Sequence, residues 1–148
     1  NNIGAMFHPV PAIMNLTRIE NQEKYFHYTQ GITVTVAALI EKIDKERGLV
    51  CECMGAKYIS AIEWMKDTYG TEGRNLRKHL QMNDGYKEIV GPNTIDHRYI
   101  HDDLLTGLVP IYKTGEKHNI SLPITKSFID FSSSLMGVDY LKKGRFGL

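Results

Sequence analysis

The sequence predicts an all-α domain, and three observations predict it. Strand signals are weak, residues that punctuate helices are well placed, and apolar residues recur at helical spacing. Alternation of apolar and polar residues is brief, and no Asn-Gly hairpin turn occurs. With 148 residues the chain fits one domain. A domain of this size hides roughly 70% of its unfolded surface, enough for a real core.

The first helix starts at His8-Pro9-Val10-Pro11, because proline is tolerated in a first turn where N–H groups lack partners. Val10, Ile13 and Met14 follow at helical spacing. A second helix is expected from about Thr33 to Arg47, with Val36, Leu39, Ile40 and Ile43 as its apolar face. Lys42, Lys45 and Arg47 crowd its C-terminal end, and Gly48 offers a stop. A third begins at Ser60, where Ser60 and Glu63 form a capping box and Ile59 and Trp64 can close a hydrophobic staple. It ends near Tyr69-Gly70.

A shorter helix spans Asn75 to Met82, carrying Leu76 and Leu80. An irregular stretch with Gly85, Gly91 and Pro92 follows. Another helix starts between Thr106 and Pro110, with Pro110 in its first turn, and stops near Asn119. The last enters at Pro123 and stops at Gly137, with Ile124, Phe128, Phe131 and Leu135 on one face. Five or six helices with short loops make a compact helical domain.

Composition narrows the function. Eighteen basic and 17 acidic residues leave a net charge of +1, which gives no reason to expect nucleic acid or a membrane as partner. No apolar run approaches the ~18 residues of a transmembrane helix. Asn1-Asn2 opens the chain without a signal peptide's basic and apolar regions. Cys51 and Cys53 are too close in sequence to staple a fold, and two sulfurs cannot close a tetrahedral metal site. They read as reduced thiols of a cytoplasmic protein. The glycine-rich turns of nucleotide-binding proteins, the nucleophile elbow and the zinc helix are all missing. No motif of this chain binds a cofactor on its own, so function rests on isolated polar groups.

The densest polar cluster is His97-Arg98-Tyr99-Ile100-His101-Asp102-Asp103. On a helix, His97 and His101 lie one turn apart, a spacing that can hold a metal with Asp102 as third ligand. Arg98 offers a rigid guanidinium fork for the carboxylate of a small organic acid, and Asp103 can orient a histidine from elsewhere. The same residues also suit a plain surface salt-bridge cluster. His8 sits at a helix start, which favours neutral imidazole, whereas a nearby carboxylate favours the charged form and fixes the tautomer. An imidazole between those influences can act as general acid and base, or it can simply be a satisfied core group. His27, His79 and His118 read as surface or packing residues, and Tyr25, Phe26, Tyr28 and Trp64 as core or interface.

One ordered set of residues carries a resemblance over nearly the whole chain. It runs Asn2, His8-Pro9, Asn15, Arg18-Ile19-Glu20, Tyr28 and Asp44-Lys45-Glu46-Arg47. It continues with His97-Arg98-Tyr99, Asp103, Gly107-Leu108-Val109-Pro110, Asp139-Tyr140 and Gly144-Arg145. In this set the chain resembles the C-terminal domain of the octopine and nopaline (opine) dehydrogenases. After Asp103 it departs from the family, with Leu104-Leu105-Thr106 in place of a Val-Pro turn.

The resemblance implies a helical substrate domain over 1–148, like the C-terminal domain of 6-phosphogluconate dehydrogenase relatives. It implies a preceding Rossmann domain, missing from this chain, that binds NAD or NADP. The implied reaction condenses an α-keto acid with an amino acid, and the imine takes hydride to become an N-(carboxyalkyl)amino acid. The family's catalytic pair carries over to His8 and Asp103, with Arg98 holding the keto-acid carboxylate. Asp102 is the alternative carboxylate, and register with Arg98 favours Asp103. No metal is implied. The isolated chain is then inactive, and its uncovered apolar face can drive homodimers. The competing readings are a stand-alone helical interaction or regulatory module and, more weakly, a metal-binding domain.

Overall fold

The computed structural model describes residues 3–144. Asn2 and Arg145, both part of the resemblance, lie outside them. The helices in chain order are α1 (Gly4–Phe7), α2 (Pro9–Met14), α3 (Leu16–Glu20), α4 (Val34–Cys53) and α5 (Ala61–Tyr69). They continue as α6 (Leu76–Met82), α7 (Arg98–Asp103), α8 (Val109–Lys117), α9 (Pro123–Met136) and α10 (Tyr140–Lys143). A 3₁₀ turn covers Asp84–Tyr86 and a π turn Leu104–Leu108. Among the described residues there is no strand, and the isolated antiparallel bridge Phe26–Val90 joins two loops. The all-α expectation holds.

The best-punctuated helices form as their sequences dictate. Ser60 and Glu63 close the capping box of α5, and Gly70 ends it at φ 63°. Asn75 caps α6 by accepting the Lys78 N–H, and Gly137 stops α9 at φ 65°. Two expectations need correction. First, there are more and shorter helices than five or six, because α1, α3 and α10 are only four or five residues long and show little periodicity. Second, Gly48 does not stop α4. The Tyr58 ring packs on it so closely that a Cβ at position 48 would meet Tyr58 Cε1 at 3.0 Å. The helix therefore runs one and a half turns further, to Cys53, and Gly55 beyond it takes positive φ.

Helix α4 organises the rest. Ile40 and Ile43 are fully buried, each burial stabilising by roughly 1.5–3 kcal/mol. Three carboxylates of α4 each satisfy the N-terminus of a different helix. Glu41 accepts the Leu76 N–H of α6 at 2.8 Å, and Asp44 the Ala61 N–H of α5 at 2.7 Å. Glu46 accepts the Ile124 and Thr125 N–H groups of α9 and the Thr125 hydroxyl. Leu122, which precedes α9, has no side-chain acceptor, so Glu46 caps it from outside. Asp44 also pairs with Arg47 at 2.7 Å, both side chains 4% exposed. Asp44, Glu46 and Arg47 of the Asp44-Lys45-Glu46-Arg47 stretch thus tie α4 to α5 and α9.

Two prolines shape the chain around the site. Pro11 has no N–H to give the carbonyl of Phe7, one turn back, which frees that oxygen for a side chain. Pro110 likewise cannot continue the ladder past Leu108. The Val109 N–H instead reaches back five residues to Leu104 O, which produces the π turn between α7 and α8. Pro110 therefore lies in the first turn of α8, as expected, but the helix in front of it is unbroken.

Candidate active site

His8 closes α1 and precedes α2, at the junction where Pro9 begins the second helix. Its Nδ1 lies 2.9 Å from Asp103 Oδ2. The side chains are 17% and 11% exposed, so the pair is sheltered but reachable. Asp103 ends α7, immediately before the π turn. A carboxylate accepting from Nδ1–H fixes the tautomer and leaves Nε2 as the working nitrogen. Nε2 lies 3.2 Å from the Tyr28 hydroxyl. The imidazole lies on the ring of Tyr99, with centroids 3.9 Å apart and planes 8° from parallel. Tyr99 and Asp103 are four residues apart, so one face of α7 supplies both the carboxylate and the stacking ring.

The 25–32 segment supplies the far wall. His27 Nε2 donates to the freed carbonyl of Phe7 at 2.9 Å, a direct consequence of Pro11. His27 is fully buried, and burial holds its ring neutral, with its pKa pushed down to about 4. Its Nδ1 then carries a lone pair, and it has no partner among the described residues. The segment is lashed to the 89–91 loop by His27 N–H to Ile89 O and Gly91 N–H to Tyr25 O. Gly91 is required there, because any Cβ would overlap the Tyr25 ring. Tyr28 stacks on Tyr86 at 4.1 Å, and the Tyr86 hydroxyl meets that of Tyr69. Burial pushes the Tyr28 phenol well above its ordinary range, with Tyr99, Tyr69 and Asp103 adding in the same direction.

The structure therefore joins two of the three predicted site residues directly. Arg98 sits at the start of α7, exposed, and its guanidinium meets no carboxylate among the described residues. Five residues separate it from Asp103, about 140° around the helix. The alternative carboxylate Asp102 is exposed, and the ion pair of His8 is with Asp103. The two other histidines of the cluster serve the protein. His97 Nδ1 caps α7 by accepting the Tyr99 N–H, and His101 Nδ1 lies 2.9 Å from the Tyr140 hydroxyl. Among the described residues no group of three His, Cys, Asp or Glu is arranged to hold a metal. Nor is any helix long and apolar enough to cross a membrane.

Three contributors were given no role in the site by the sequence: Tyr28 and Tyr99 entered as members of the ordered set, and His27 as a surface or packing residue. Tyr99 carried a signal, since it lies one helical turn before Asp103. His27 carried half of one, because Pro11 leaves a carbonyl in want of a donor. Tyr28 belongs to the ordered set that carries the resemblance, but nothing local points it at Nε2, to which it is brought by a loop whose path only the tertiary contacts fix.

Comparison with known proteins gives a consistent result. The family described as NAD/NADP octopine/nopaline dehydrogenase, alpha-helical domain, matches residues 1–136. An opine dehydrogenase from Arthrobacter sp. (strain 1C) is 35% identical over 144 residues, covering 97% of this chain and 40% of that protein. A D-nopaline dehydrogenase from Agrobacterium tumefaciens (strain T37) is 26% identical, covering 83% of this chain and 35% of that protein. Among solved structures, an octopine dehydrogenase described with NADH and L-arginine superposes with a TM-score of 0.67 at 16% identity. It covers 90% of this chain and 39% of that one. The chain thus spans 35% to 40% of the length of these relatives.

Proposed function

The chain belongs to the octopine/nopaline dehydrogenase family as its alpha-helical domain, and from that premise we propose that it is the substrate-binding and catalytic-residue domain of an NAD(P)-dependent opine dehydrogenase. The reaction is the reductive condensation of an α-keto acid with an amino acid to an N-(carboxyalkyl)amino acid. The observation that carries this reading is the hydrogen bond between His8 Nδ1 and Asp103 Oδ2 at 2.9 Å. A histidine oriented by a sheltered carboxylate, with its second nitrogen turned to a hydroxyl, is the arrangement that general acid–base work needs.

His8 gives and takes protons at Nε2, toward the substrate's carbonyl oxygen or its amine. Asp103 fixes the imidazole in the Nδ1–H tautomer and stabilises the imidazolium when it forms. Arg98 receives the keto-acid carboxylate through charge-assisted hydrogen bonds. Its exposed guanidinium, unengaged among the described residues, is available for that. Tyr99 holds the ring in plane. Dinucleotides are commonly cradled where a strand leads into a glycine-rich turn, a feature the described residues do not contain. That cradle is assigned to a Rossmann domain in the remainder of the longer protein. The nicotinamide, when bound, supplies the hydride.

The test uses the full-length protein that carries this chain. NAD(P)H oxidation is followed with pyruvate and a panel of amino acids. Turnover with at least one pair, abolished in His8→Ala, is expected. Silence across the panel, or full turnover in His8→Ala, would overturn the reading.

A further inference from the structure

We propose that Tyr28 extends the His8–Asp103 pair into a three-member relay in which its hydroxyl carries the proton between His8 Nε2 and the substrate. The inference rests on the acid–base role given above to His8. Its starting point is an occupancy. With Nδ1 committed to Asp103, Nε2 is the nitrogen left for chemistry, and the Tyr28 hydroxyl already sits 3.2 Å from it. Tyr28 is 4% exposed, so this contact is built into the fold rather than offered by a mobile surface ring.

The surroundings hold that hydroxyl in place. The phenol ring stacks on Tyr86, with centroids 4.1 Å apart, and makes T-shaped contacts with Phe7 and His27 at 6.5 and 4.8 Å. These contacts and its burial pack the ring on several sides, while the O–H bond can still turn about the C–O axis. Among the described residues Nε2 is the hydroxyl's one hydrogen-bond partner. A phenol hydroxyl has one donor and two acceptor positions. When His8 is neutral, Tyr28 donates to the lone pair on Nε2. When His8 is charged, Nε2–H donates to the Tyr28 oxygen, and the phenol's own proton turns to a different acceptor. Burial keeps the phenol protonated, so it is a partner for His8 in both states and never a stored charge.

The transfer balances. In the reductive direction the Nε2–H bond breaks and that proton joins the Tyr28 oxygen. In the same step the O–H proton of Tyr28 leaves for the substrate's oxygen or nitrogen. Tyr28 begins and ends neutral, His8 changes from imidazolium to imidazole, and Asp103 keeps its hydrogen bond throughout. The reverse sequence serves the oxidative direction.

The experiment compares the full-length protein with Tyr28→Phe and His8→Ala under single-turnover conditions. For Tyr28→Phe we expect the rate to fall at least about tenfold with KM within about twofold, because Phe keeps the ring packing and removes one oxygen. We expect a curved dependence of the native rate on deuterium content, from two protons in flight, and a linear one in Tyr28→Phe. A readout independent of turnover is the ¹⁵N resonance of His8 Nε2 in histidine-labelled protein. It should move toward that of an unbonded nitrogen in Tyr28→Phe. An unchanged resonance, a linear native dependence, or a native rate in Tyr28→Phe beside an inactive His8→Ala overturns the relay and leaves the role of His8 standing. Full activity in His8→Ala overturns both.

Discussion

The imidazole of His8 and the ring of Tyr99 lie face to face, 3.9 Å between centroids and 8° from parallel. Tyr99 projects from the same face of α7 as Asp103, so a single helical turn holds the histidine on two sides: by a hydrogen bond in the ring plane and by a surface beneath it. Stacked pairs of this kind contribute about 0.5–1.5 kcal/mol beyond the area they bury. Tyr99→Phe keeps the stack and is expected to hold kcat/KM within about twofold. Tyr99→Leu removes it, and kcat/KM should fall about two- to tenfold, mostly in kcat. Steady-state kinetics on both variants decide it. Equal losses in the two would assign the effect to the hydroxyl.

Asp103→Asn keeps the shape of the residue and removes the charge that holds Nδ1–H. Positioned acid–base groups contribute about 10²- to 10⁴-fold, so the loss in kcat should be about 10²-fold or more, with KM little changed. The neighbouring change Asp102→Asn should leave kcat within about twofold, because Asp102 is exposed and Asp103 is the carboxylate on Nδ1. A larger loss in Asp102→Asn than in Asp103→Asn would reassign the carboxylate.

Burial lowers the pKa of His27 from 6.5 to about 4, so its titration couples to folding. Between those values the unfolded chain binds a proton that the folded protein refuses, and stability falls as pH drops from about 6.5 toward 4. One pKa unit corresponds to about 1.4 kcal/mol, so the full loss is about 3 kcal/mol. Above pH 6.5 His27 adds no pH dependence. Denaturant midpoints across this window check it. His27→Gln keeps a donor for Phe7 O, has no titrating group, and should flatten the profile. An equally steep profile in that variant would place the titration elsewhere.

Glu46 serves α9 in place of a local cap, accepting two backbone N–H groups and a hydroxyl. Glu46→Ala leaves those buried donors without a partner, and hydrogen bonds to a charged group are worth roughly 1.5–3 kcal/mol each. A net destabilisation of about 2–4 kcal/mol is expected, read as a lowered chemical-denaturation midpoint. A change within about 0.5 kcal/mol would mean that solvent replaces the carboxylate at the helix end.

Local chemistry was readable wherever it acts within a turn. Ser60 with Glu63 and Gly70 define α5, Asn75 starts α6, and Pro123 and Gly137 bound α9. Such signals are side chain to backbone contacts over three or four residues, so the sequence contains both partners side by side. They fail where a distant group intervenes. Gly48 has the sequence position of a helix stop, yet the Tyr58 ring fills the space above it and the helix continues.

The sequence by itself determined an all-α chain and the boundaries of its best-capped helices, and its resemblance to the opine dehydrogenases implied a pairing of His8 with Asp103, which lie 95 positions apart. Only the tertiary structure decided what surrounds that pair. Tyr28 reaches Nε2 because the 25–32 segment is lashed to the 89–91 loop, and His27 reaches Phe7 O because a proline opened the ladder there. The physical reason is range. Caps and periodicity are settled by neighbours along the backbone, whereas the wall of a pocket is assembled from loops whose positions depend on the packing of every helix between them.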